Sequence, residues 1–290
     1  MANNNKWRAK MIQQNTQEWM DLRKNHIGAS DAPIIMGQSP WKTSFALWEE
    51  KLGLRPSPKM NAAMMRGHKL EPIARQAYND YTGNAAEAEV VFHPERKWMM
   101  ASLDGISLDR SIIVEIKCPG KKDHDEAKAG RIPDKYYAQL QHQLATISLN
   151  LLHYFSYKDG EFHLIEVERD EEFIQKLYSE ERDFWNKLQN FEPPTLEKRD
   201  FIQKEDENWI TLAQQWVNAN QELNDLKEKE KQYRQMLIDS CCNQNCHGGG
   251  VKVQKVIRKG SVDYKSVPEL EGINLEKYRK ANVETWRLSC

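Results

Sequence analysis

In the stretch SLDGISLDRSIIVEIKCPG, residues 102 to 120, an isolated Asp104 is followed by Glu115 and Lys117 set two apart. Alternate side chains of a strand share a face, so Glu115 and Lys117 project together while Val114 and Ile116 project to the other side. Asp104-Gly105 reads as a turn after an apolar strand, and a hairpin would lay Asp104 beside the Glu/Lys pair. Two carboxylates and an ammonium would then converge. Buried charges are costly unless they are paired or bound to metal. Converging carboxylates offer the hard oxygens that Mg²⁺ accepts, with water and substrate phosphate completing its shell. A lysine beside such an ion can hold or polarise a water, which is the chemistry of phosphodiester hydrolysis. Taken alone, E-x-K more often marks an edge strand whose Glu/Lys pair faces solvent.

The elements around this stretch must bring its residues together. From about 16 to 52 the pattern is a helix ending near His26, a Gly/Ser/Asp turn, a short helix and another helix ending at Gly53. Leu70, Ile73, Ala74, Ala77 and Tyr78 recur at helical spacing across residues 66 to 82. Strands are expected over 89–93, 98–103 and 111–117, a helix over 134–148, and a two-strand pattern over 151–170 turning at Asp159-Gly160. A further helix covers roughly 171–190. Helices around a small mixed sheet make an α/β or α+β domain.

Pro193-Pro194 ends that helix and places a boundary there, dividing the chain into 1–192 and a C-terminal extension, 193–290. In the extension Trp209, Leu212, Trp216, Ala219, Leu223, Leu226, Tyr233 and Leu237 recur at steps of three and four, broken once at Glu230. They describe an amphipathic helix of about 30 residues that can pack as a hairpin or short coiled coil. GGGVKVQKVIRKGSVDY then reads as a β segment, with VETWRLS near the end as its candidate partner strand.

Length and composition set the bounds. The 290 residues can bury a sizeable core; 39% are hydrophobic and 29% charged, with no run resembling a membrane span. The opening MANNNKWRAK lacks the apolar core of a signal peptide, so a cytoplasmic location is expected. Net charge is −1, which neither recommends nor excludes a polyanionic partner. Before residue 60 the bases Lys6, Arg8, Lys10, Arg23, Lys24, Lys42, Lys51, Arg55 and Lys59 outnumber the acids, which describes a solvated surface as readily as a groove. The five cysteines are expected as reduced thiols. Cys241, Cys242, Cys246 and His247 lack the paired spacing of a zinc or iron–sulfur site. The eight histidines include no helical H-x-x-x-H pair, so zinc hydrolase chemistry has no support.

Four blocks in order, EWMDLRKNHIGASD, RGHKLEP, SLDG…VEIKCP and YYAQLQHQL, span about half the chain. Together they resemble the PD-(D/E)xK nuclease superfamily, and within it the phage-lambda-type exonucleases, or YqaJ-like viral recombinases. The resemblance implies a restriction-endonuclease-like core. It makes Asp104 and Glu115 metal-binding acids, Lys117 the catalytic lysine, the Ile116 carbonyl a further metal ligand, and Glu71 an acid that completes the site directly or through water. Gln139 and Tyr136 match the family's Y-x-x-Q helix, which flanks the site and orients water or phosphate. Arg23 and Ser30 match positions that hold the terminal 5′-phosphate of DNA, as an Arg fork and a hydroxyl at a helix start can, and Tyr136 is expected with them in that phosphate subsite. Without the resemblance Glu71 and Gln139 are ordinary surface residues, Ser30 or Asp31 is a helix N-cap, and Trp19 belongs to the core.

The function so implied is a Mg²⁺-dependent exonuclease, with Mn²⁺ as an alternative ion, that digests one strand of linear duplex DNA from its 5′ end. Its 3′-ended single strands would serve recombination by strand annealing. A ring-shaped homo-oligomer, most often a trimer, and a single-strand annealing protein are the implied partners, in the bacterial host cytoplasm for a phage-encoded chain. Two competitors remain: an endonuclease or repair nuclease on the same core, and a non-catalytic DNA-binding or scaffold protein.

Overall fold

A computed structural model describes residues 8–10, 12, 16–56, 60–258 and 260. A mixed sheet organises the first of two compact units, which runs to Ile202. Its strands are β1 (Arg8–Lys10), β2 (Ile27–Gly28), β3 (Glu87–Phe92), β4 (Met99–Ile106), β5 (Ile113–Lys117), β6 (Leu151–Lys158) and β7 (Glu161–Glu168), in spatial order β1-β3-β4-β5-β6-β7 with β2 also on β4. The helices are α1 (Gln17–Lys24), α2 (Ala32–Ile35), α3 (Ser44–Leu52), α4 (Ala62–Thr82), α5 (Lys121–Lys128), α6 (Asp134–Ile147) and α7 (Glu171–Asn190). The sequence pattern left α5 unassigned. That helix is short and mean-polar, and buries only His124 and Ala127.

The two faces of β5 part as its alternation requires. Val114 and Ile116 pack with Ala74 and Tyr78 of α4, whereas Ile113 lies in the cluster containing Leu140 and Leu144 of α6. β5 runs parallel to β6 from Ile113 opposite Leu152 to Lys117 opposite Ser156. On its other edge it pairs antiparallel with β4 only at Val114–Gly105 and Ile113–Ile106. β4 in turn takes β2 at Met99 and Met100. Between these contacts the strands separate, so an opening is built into the sheet itself.

Asp104 and Gly105 therefore lie inside β4, not in the expected turn; the chain reverses beyond Ser107. The physical reason is close packing at Gly105, where a Cβ would stand 2.7 Å from Val114 Cγ1 and 2.9 Å from Ala86 Cβ. The glycine admits its neighbours within the strand. Beneath the opening, His142 of α6 bridges Glu181 of α7 at 2.6 Å and the Met100 carbonyl of β4 at 2.8 Å. All of these groups are buried, so the pair fixes α6 against the sheet.

The first unit continues through the Pro193-Pro194 connection to Ile202 because the segment docks on it. Thr43 Oγ1 donates to Asp200 Oδ1 at 2.5 Å, and Arg199 donates to the Ser39 carbonyl at 2.9 Å. The second unit begins at Gln203. It contains α8 (Glu207–Ser240), a helix with no buried residue, and an antiparallel hairpin of β8 (Cys246–Gly248) and β9 (Val251–Val253). β9 thus finds its partner immediately upstream across Gly249-Gly250. The expected partner VETWRLS lies outside the described residues, as do Lys6, Lys59 and Cys290. Among the described residues no helix is long and apolar enough to cross a membrane.

Candidate active site

β5 presents Glu115 and Lys117 to α6. Glu115 is 2% exposed. Its Oε1 accepts from Lys117 Nζ at 2.5 Å and Gln139 Nε2 at 2.6 Å, and its Oε2 accepts from Gln143 Nε2 at 2.5 Å. Gln139 Oε1 also accepts from Lys117 Nζ at 3.1 Å, closing a three-membered ring of side chains. Residues 139 and 143 are one helical turn apart on α6, so one face of the helix holds both carboxylate oxygens.

Asp104 enters from β4. Its Oδ2 accepts the Ile116 N–H at 2.8 Å, a bond available because the β4–β5 ladder has stopped short of Ile116. The N–H and C=O of one strand residue leave on the same side, so the Ile116 carbonyl also faces the opening beside Asp104. Burial, then Glu115 and Glu71, pushes the Asp104 pKa well above the ordinary carboxylate range. Burial is also the largest single influence on Lys117 and disfavours its charge. Glu115 and Asp104 together outweigh it and raise the Lys117 pKa to about 12. Lys117 is thus a cation set between Glu115 and Asp104.

Glu71 of α4 lines the same opening and pairs with Arg75 at 2.5 Å. Tyr136 places its ring 5.0 Å from Lys117 Nζ, but its hydroxyl donates to Asp123 Oδ2 at 3.1 Å, where Lys135 also pairs at 2.7 Å. Burial is the main cause that pushes the Tyr136 hydroxyl pKa up to about 12. Tyr136 thus serves as a wall of the site, with its hydroxyl committed to a carboxylate.

Arg23 lies in the last turn of α1 and donates from Nη2 to Ser30 Oγ at 2.6 Å; its guanidinium also lies over Trp19, 4.7 Å from the ring centroid. Trp19 is partly buried and donates through Nε1 to Ser102 at 2.9 Å. Asp31 does not cap α2. Its Oδ2 accepts from the Gly28 N–H at 2.9 Å and from Lys51 Nζ at 2.8 Å. Lys51 donates further to the carbonyls of Arg23 and His26 at 2.8 and 2.6 Å. Burial alone would raise the Asp31 pKa, but Lys51 and Arg23 hold it below the ordinary value. One buried lysine thereby ties together the segment that presents Arg23 and Ser30.

Arg23, Ser30, Glu71, Asp104, Glu115, Ile116, Lys117, Tyr136 and Gln139 all border one open cleft of about 700 Å³. Elsewhere among the N-terminal bases, Lys42 pairs with Glu50 at 2.5 Å and Arg55 with Glu49 at 2.7 Å. Sequence reasoning missed Gln143, Asp123, Lys135 and Lys51. The four-residue interval from Gln139 to Gln143 was a usable signal; the reach of Lys51 to Asp31 had none.

Residues 18–149 match the family model of the YqaJ-like viral recombinase domain. The chain is 28% identical over 247 residues to the uncharacterized protein YqaJ of Bacillus subtilis, covering 77% of each sequence. Among solved structures it is similar to an alkaline exonuclease, LHK-Exo, from Laribacter hongkongensis, with a TM-score of 0.54 and 29% identity. That match covers 60% of this chain and 93% of the exonuclease, and the same likeness holds for the Laribacter protein in complex with dAMP. The mixed sheet flanked by helices is thus the PD-(D/E)xK architecture expected from the four sequence blocks.

Proposed function

With residues 18–149 a YqaJ-like viral recombinase domain, we propose that this chain is a Mg²⁺-dependent 5′-to-3′ exonuclease of linear double-stranded DNA. The observation that carries the reading is the meeting of Asp104, Glu115, the Ile116 edge and Lys117 in a cleft that also receives Arg23 and Ser30. Asp104, Glu115, Glu71 and the Ile116 carbonyl form an all-oxygen donor set suited to Mg²⁺ or Mn²⁺, which when bound lowers the pKa of water and offsets charge on the scissile phosphate.

The protein's own groups divide the remaining work. Lys117, a cation at neutral pH, keeps one N–H beyond those given to Glu115 and Gln139, and donates it to the attacking water. Gln139 holds Lys117 and Glu115 in register, and Gln143 keeps the second Glu115 oxygen oriented. Arg23 and Ser30 receive the terminal 5′-phosphate, with a guanidinium fork and a hydroxyl as donors. Water oxygen bonds to phosphorus and gives up a proton to solvent as the bond from phosphorus to O3′ breaks; the departing O3′ takes up a proton from solvent. The products are a nucleoside 5′-monophosphate and a strand with a new 5′-phosphate for the same subsite. The dAMP bound by the Laribacter exonuclease belongs to that product class. The 3′-ended strand left behind is the substrate of a single-strand annealing protein, the partner this reading requires.

A time course on linear duplex with and without a 5′-phosphate, beside a closed circle, tests the reading, each in Mg²⁺ or EDTA with Lys117→Ala as control. Loss of one strand from phosphorylated linear DNA, requiring both Mg²⁺ and Lys117, is expected. Nicking of the circle would identify an endonuclease, and inertness on every substrate a scaffold.

A further inference from the structure

Away from the cleft, α5, β6 and β7 bring together three nitrogen and oxygen donors that are far apart in the sequence. His124 of α5 is 4% exposed, and its Nε2 is buried without a hydrogen-bond partner. Its other nitrogen, Nδ1, lies 2.8 Å from Ser156 Oγ of β6, which fixes the orientation of the ring. Nε2 faces Glu161 Oε2 of β7 at 4.0 Å, beyond hydrogen-bond reach. Two residues along the same strand, and so on the same face, His163 Nε2 lies 3.2 Å from Glu161 Oε1. The two imidazoles are 5.0 Å apart between centroids, and one ligand atom from each of the three residues falls within 4.8 Å of the others.

We propose that His124, Glu161 and His163 bind a divalent transition-metal ion of the Zn²⁺ class. Two imidazoles and one carboxylate are a recurrent zinc donor set, with water in the fourth position. A buried imidazole nitrogen with no partner is costly to leave so, and ligation would satisfy it. Ligand atoms around tetrahedral zinc stand about 3.4 Å apart given bonds near 2.1 Å. The present spread closes by rotation of Glu161 and His163, both on the sheet's edge strand and both partly exposed. Ser156 occupies the place of the outer-shell group that orients a ligating histidine.

The donor types keep this site separate from the cleft. Mg²⁺ prefers oxygen, which the cleft provides, whereas imidazole favours zinc and its neighbours. Lys128 Nζ pairs with Glu161 Oε1 at 2.8 Å and competes for the carboxylate. Binding would fasten α5 to β7. α5 also carries Asp123, which holds Tyr136 and Lys135 at the cleft wall, so the ion would act as a clasp on that wall.

Zn²⁺ titration of the EDTA-stripped full chain by calorimetry, in excess Mg²⁺, tests the assignment. One Zn²⁺ is expected per chain at a site that His163→Ala and Glu161→Gln both abolish, while Asp104→Asn retains it. Ser156→Ala should weaken it about tenfold or more. Lys128→Ala should tighten it several-fold by freeing Glu161. Because His163 and Glu161 sit at an edge, their variants are expected to fold. Unchanged Zn²⁺ binding in both variants, or loss of the event in Asp104→Asn, overturns the site. The readout is binding, so the result stands apart from whether the cleft cleaves DNA.

Discussion

Gln143 Nε2 stands 2.5 Å from Glu115 Oε2, on the carboxylate oxygen that Lys117 and Gln139 leave to it. Both residues are buried. Gln143→Leu keeps most of the volume and removes the donor, leaving a buried charged oxygen without a partner. Such a loss costs about 1–3 kcal/mol. We expect lower stability in urea and a higher Mg²⁺ concentration for half-maximal cleavage, since Glu115 would no longer be held toward the cleft. A variant with wild-type Mg²⁺ dependence would remove Gln143 from the positioning scheme.

Asp104 suffers from burial and from Glu115 and Glu71 together, and its folded pKa is raised. For an acid whose folded pKa exceeds its unfolded value, the native state binds more protons, so stability falls as pH rises from the unfolded value through the folded one. Asp104→Asn removes that penalty while its amide oxygen can still accept the Ile116 N–H. In EDTA, Asp104→Asn is therefore expected to be more stable than wild type at neutral pH, by the order of 1 kcal/mol. The advantage should vanish below about pH 4, where the carboxyl is protonated in both states. Cleavage should be lost in the same variant. Melting curves across pH read the first effect; an advantage that is flat with pH would contradict the electrostatic account.

Much of this site is legible in the sequence because its chemistry is local. Glu115 and Lys117 lie on one strand, Tyr136 and Gln139 on one helix, and period alone assigns each pair to a face. The β-branched run of β5, buried from Ile113 through Ile116, and the Asp159-Gly160 turn between β6 and β7 are local in the same sense. Asp-Gly is a strong turn signal and points Asp104 to a turn, whereas the packing of Gly105 against Val114 and Ala86 that holds it in β4 involves residues distant in the chain. α5 was missed because few of its residues are apolar. Lys51 was hidden for a different reason: a buried lysine is revealed by the carbonyls that surround it, and those come from α1 and the segment after it.

Substitution at Gly105 distinguishes a strand from a turn. If Asp104-Gly105 were a solvent-facing turn, Gly105→Ala would be nearly neutral. Inside β4 the new methyl would meet Val114 Cγ1 and Ala86 Cβ, both in packed surroundings. Overpacking of this kind costs about 1–3 kcal/mol. The shift should also displace Asp104 from Ile116, so cleavage is expected to fall along with the denaturation midpoint.

Lys51 and Asp31 form a buried ion pair 2.8 Å long, and Lys51 spends its other donors on the carbonyls of Arg23 and His26. Lys51→Met strands the Asp31 charge, and breaking a buried pair from one side costs about 3–5 kcal/mol. Asp31→Asn added to Lys51→Met removes the stranded charge and should recover a large part of the loss. Stability and function are expected to separate in the double variant. It regains folding but not the ties that hold Arg23 beside Ser30, so its preference for 5′-phosphorylated over 5′-hydroxyl ends should remain weakened. Urea denaturation of both single variants and the double variant, with cleavage rates on the two kinds of end, measures each effect. Full recovery of end preference in the double variant would show that Lys51 merely neutralises Asp31; persistence of the defect would show that it also positions the segment bearing Arg23 and Ser30.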